Sequence, residues 1–123
     1  MNEFSYGASS MSPKQLMTRS LSKMLTNNEL VIENIKKRNE VFINQRIQNS
    51  LQLINVITVI VSESQLPEEI KENLDSLFIW FESVLKQVSE TWKKDPEDTE
   101  ANLRALEGPI KNIRRAFRDM PEN

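Results

Sequence analysis

The segment Leu51-Gln52-Leu53-Ile54-Asn55-Val56-Ile57-Thr58-Val59-Ile60-Val61 sets how this chain is read. Eight of its eleven residues are apolar, more than a single contact face of a helix requires. Extended towards the N-terminus at helical spacing, Ile43, Ile47, Ile54, Ile57 and Val61 form one stripe, with Ser50 as its small member. Leu53, Val56 and Ile60 form a second stripe, rotated by roughly 110° from the first. Two stripes allow two readings. The helix is central and packs on several neighbours of its own bundle, or the second stripe lines a groove for another chain's helix or extended segment. A strand is a minor alternative, raised by the β-branched run from Val56 to Val61. Helical periodicity on both sides and the lack of a hairpin turn weigh against it.

Helix signals recur on both sides of this segment. Ser12-Pro13-Lys14-Gln15 combines an N-cap, a proline suited to the first helical position and a capping-box glutamine. The helix it starts reaches about Lys37, where Lys36-Lys37-Arg38 meets the negative end of the dipole. Met17, Leu21, Met24, Leu25, Val31, Ile32 and Ile35 share its inner side. Asn28 interrupts that face, either as a buried hydrogen-bonded amide or where the stripe meets solvent. The second helix follows a turn at Asn39, and a break at 62–66 leads to Pro67 at the first turn of a third. There Ile70, Leu74, Leu77, Phe81, Val84, Leu85, Val88 and Trp92 share a face flanked by Phe78; Ile79 points nearly opposite and Trp80 sits at the margin. Asp95-Pro96 starts the fourth helix, whose seam is Leu103, Leu106, Ile110, Ile113, Phe117 and Met120. Gly108-Pro109 interrupts it and should bend one continuous helix.

These signals predict an all-α, antiparallel up-down four-helix bundle forming a single domain over 1–123. Its helices run at about 13–37, 40–63, 67–93 and 96–119, behind a short flexible tail at 1–11. With two glycines and 28% charged residues in 123, the composition suits long helices and short turns.

The net charge of −2 argues against a general polyanion binder. Residues 1–62 carry 7 basic and 4 acidic groups, and residues 63–123 carry 9 and 14, so the halves differ in sign. Cysteine and histidine are both absent from the sequence, which removes the usual zinc ligands, the Ser-His and Cys-His nucleophile pairs and the commonest general base. Catalysis, metal binding and cofactors are therefore not expected. The N-terminus lacks the basic and apolar regions of a signal peptide, and no apolar run approaches the ~20 residues that span a bilayer. A cytoplasmic protein without membrane insertion is the expectation. The acidic groups Glu68-Glu69-Glu72-Asp75 and Asp95, Glu97, Asp98 and Glu100 sit where helix dipoles favour them. Lys111, Arg114, Arg115 and Arg118 form a basic stripe, read first as a solvated face. Its alternative use, in a small nucleic-acid-binding regulator, lacks interleaved aromatics.

Three segments resemble the FliS family of flagellin-specific export chaperones. One is the tyrosine-bearing tail leading to Ser12-Pro13, with Leu16, Leu25 and Ile35 at matching intervals. The apolar second helix is another. The third runs from Asn73-Leu74-Asp75-Ser76-Leu77-Phe78-Ile79-Trp80-Phe81 through Asp95-Pro96 to Ile113-Arg114-Arg115-Ala116-Phe117. The chain departs from the family at Leu21-Ser22-Lys23-Met24 and at Gly108-Pro109. The resemblance implies a four-helix bundle that binds the C-terminal segment of flagellin, or of a related filament protein, prevents premature polymerisation and presents it for export. Other export components are possible partners. Leu53, Val56, Ile60 and Ile79 are the candidate client contacts, and Phe4 and Tyr6 a displaceable cover. A self-associating bundle, with the second stripe forming a homodimer, is a further alternative.

Overall fold

The computed structural model describes residues 11–121, and these form a four-helix bundle without strands. Helix α1 spans Pro13–Lys37, α2 Glu40–Ser62, α3 Glu68–Thr91 and α4 Pro96–Arg118. Each has 23 to 25 residues, so each is about 35 Å long at ~1.5 Å per residue. Matched lengths and short connections fold the chain up and down, and each helix packs on its two neighbours in the ring α1-α2-α3-α4.

The termini form where the local chemistry dictates. Ser12 Oγ accepts from the Gln15 amide at 3.1 Å, and Gln15 Oε1 accepts from the Ser12 amide at 3.0 Å, completing the capping box. Arg38 closes α1 in the left-handed region at φ 53°, and its amide donates to the Ile35 carbonyl at 3.0 Å. Asp95 caps α4 by accepting from the Asp98 amide at 3.3 Å. Pro67 stands just before α3 as its N-cap rather than inside its first turn, and makes no side-chain cap bond. Pro109 lies within one uninterrupted α4, with the seam residues Leu106 and Ile110 buried on either side of it.

The inner stripe of α2 is buried throughout, from Ile43 to Val61, against Met17, Leu21 and Met24 of α1 and Phe78 and Phe81 of α3. Two asparagines enter the α1 interior. Asn28 Nδ2 donates to the Leu103 carbonyl of α4 at 3.3 Å, which makes it the buried, bonded amide. Asn27, unmarked by the periodicity, donates to Asn49 Oδ1 and Ser50 Oγ of α2, both at 2.9 Å, and accepts from Arg46. Such bonds offset the cost of burying an amide. On α3 the order of burial differs from the expected face: Phe78 belongs to the core, whereas Ile70 is 44% exposed. Ile70 has the right angular position, but it lies in the first turn of α3, at the bundle end where neighbouring helices run out.

Candidate partner-binding groove

That end brings together the start of α1, the last turns of α2, the α2–α3 connection and the end of α4. Two shallow depressions of about 600 Å³ each open there. The first lies between Met11 and Leu16 on one side and Val56, Val59 and Ile60 on the other. The second is lined by Leu66, Phe117, Met120 and Pro121. They share Pro13, Ile60, Glu63 and Ser64, so together they make one continuous groove, apolar in its floor. Its rim carries polar groups: Lys14 Nζ donates to the Met120 carbonyl at 2.7 Å, and Ser64 Oγ donates to the Val61 carbonyl at 2.7 Å.

The expected site residues separate on this geometry. Leu53 is 2% exposed and belongs to the core, so it presents no surface to a partner. The helical wheel gives the reason. At ~100° per residue, Leu53 lies only about 80° from the centre of the inner stripe, against about 100° for Ile60 and 140° for Val56. A helix with two ring neighbours covers an arc wide enough to take in Leu53. Val56 and Ile60 are half-buried, and Ile60 also packs against the core. Val59, about 160° from the centre, is 52% exposed and lines the groove. Sequence reasoning missed it because it belongs to neither stripe, although the eight-apolar run already contained it. Ile79 is 68% exposed on α3 but lines neither depression, so it does not join Val56 and Ile60. Phe4 and Tyr6 lie outside the described residues.

The basic stripe also divides. Arg114 is half-buried and donates from Nη1 to Ser22 Oγ of α1 at 3.1 Å. With Arg118 it lines a polar groove between α1 and α4, completed by Arg19, Lys23, Thr18 and Thr26, whereas Lys111 and Arg115 lie outside it. Further along the same seam the charges are matched: Arg104 meets Glu100 at 3.0 Å, Glu29 at 3.5 Å and Glu107 at 3.6 Å. A hydrogen bond shared with the Glu29 carboxyl raises Glu107 above the usual carboxylate range, and burial adds to the shift. Glu68 at the start of α3 pairs with Lys71 at 3.8 Å. Among the described residues no three acidic side chains gather in a way that could hold a metal ion. Nor, among them, is any helix long and apolar enough to cross a membrane.

The fold and groove thus define a small helical bundle with an apolar groove at one end. No family model matches the sequence, and no curated protein and no solved structure matches it.

Proposed function

We propose that this chain is a non-enzymatic export chaperone. Its open groove captures the C-terminal segment of flagellin, or of a related filament protein, in the cytoplasm. Capture would keep that segment from premature polymerisation and hand it on for secretion. The observation that carries this reading is the continuous apolar groove at one bundle end, where the exposed Val59 and the half-buried Val56 and Ile60 of α2 line it beside Met11 and Leu16. Contiguous exposed apolar surface of this kind marks partner sites in soluble proteins. The resemblance over the third and fourth helices supplies the class of client.

The mechanism is capture of a disordered segment that orders as its apolar side chains enter the groove. Phe4 and Tyr6 are proposed as a cover that the client displaces. The test replaces Val56 and Val59 together by Asp. Both face outward enough for the bundle to keep its helical circular dichroism, while binding of a flagellin C-terminal peptide should be lost. Wild-type affinity in that folded variant would refute the groove as the site.

A further inference from the structure

The polar groove between α1 and α4 has a composition that the client reading does not use, and its role is independent of that reading. Arg19 and Lys23 come from α1, Arg114 and Arg118 from α4, and no carboxylate is among the lining residues. The groove measures about 620 Å³. Arg19, Lys23 and Arg114 form no ion pair among the described residues, and Arg118 pairs only with its chain neighbour Asp119, at 3.7 Å. The contrast with the other stretch of the same seam is sharp, because there three glutamates surround the single Arg104.

The cations are arranged in layers. Ser22 meets Arg114, and Lys14 meets Met120, so the antiparallel register sets Lys23 near the level of Arg114 and Arg19 nearer that of Arg118. Each pair on one helix is four residues apart, an axial separation of about 6 Å. Arg114 is held in place by Ser22, so part of the cost of ordering its side chain is already met before a ligand arrives.

We propose that this groove docks an acidic helical segment of another protein, one whose carboxylates recur four residues apart. Such a segment repeats the ~6 Å axial spacing of the cations, and guanidinium groups bind carboxylates in matched two-point geometry. A single-stranded nucleic acid fits less well. No aromatic side chain lines the groove to stack a base, and the chain as a whole is acidic. A second copy would offer its own Glu68, Glu69 and Glu72, but Glu68 is already paired with Lys71 of the same helix at 3.8 Å.

The experiment uses the full chain and a fluorescently labelled, helix-forming peptide of about 20 residues with glutamates four apart, read by anisotropy. The same peptide with glutamine in place of glutamate and a single-stranded oligonucleotide of equal charge are run beside it. The acidic peptide should bind, weaken as salt rises, and outcompete both others. Arg19→Glu with Arg118→Glu, both exposed, should lower its affinity about tenfold or more with unchanged circular dichroism. Arg114→Gln should weaken it in the same direction, and Val56→Asp with Val59→Asp should leave it unaltered. Equal binding of the glutamine peptide, preference for the oligonucleotide, absence of binding, or indifference to the charge reversals would each overturn the proposal.

Discussion

The two ends of the bundle differ in how far they cover their apolar residues. At the end formed by the Arg38–Asn39 turn and the α3–α4 connection, Trp92 is 2% exposed and Ile35 and Ile43 are buried. The Arg38 guanidinium and the Lys93 ammonium both lie 5.7 Å from the Trp92 ring, and Lys93 forms an ion pair with Glu40 across the two turns. Ring and cations together close that end. At the other end Val59 and Ile70 are 52% and 44% exposed, while Ile60, Leu66 and Met120 are only half-covered. The first end closes over its core, although Val41 in the first turn of α2 is 69% exposed beside it. The other leaves apolar surface open, and it is there that the groove lies.

The largest break in this contrast should come from Trp92→Ala. Emptying the sealed end should cost about 3–5 kcal/mol in chemical denaturation. Leu53→Ala should follow at about 2–5 kcal/mol, because the side chain is enclosed by the ring rather than offered to a partner. A change below about 0.5 kcal/mol would return Leu53 to the surface and merge it with the groove. At the open end Met120→Ala should cost about 1 kcal/mol or less, with a larger effect on client binding than on melting.

The smallest effect belongs to a site at neither end. The raised Glu107 carboxyl binds its proton more tightly in the folded state. Its contribution is therefore complete below the ordinary carboxylate value of about 4 and fades as pH rises through the raised value. Stability should decline slightly across that window, by less than about 1 kcal/mol, and Glu107→Gln should flatten the decline in denaturation series at several pH values.

Much of this architecture was legible in the residues. Ser12-Pro13-Lys14-Gln15, Lys36-Lys37-Arg38 and Asp95-Pro96 mark helix ends by local hydrogen bonding and dipole effects, which need no knowledge of the partner helices. The seam from Leu103 to Phe117 was equally plain, since one regular stripe has one use. The site was less legible. Whether Leu53 is covered depends on how wide an arc α1 and α3 shield, and whether Ile70 is covered depends on where the neighbouring helices stop. Periodicity records angle and not coverage. Asn27 and the α1 half of the basic groove were hidden for a related reason, because Arg19 and Lys23 acquire meaning only when α4 is laid beside them.

Whether the open end takes up another polypeptide is best decided by analytical ultracentrifugation of the purified chain, alone and mixed with a flagellin C-terminal segment. The chain alone should sediment as a monomer and convert to a single heavier complex when the segment is added. A chain carrying Val56→Asp and Val59→Asp should not convert. Dimerisation through this end by the chain alone, with indifference to the segment, would refute capture of a client there.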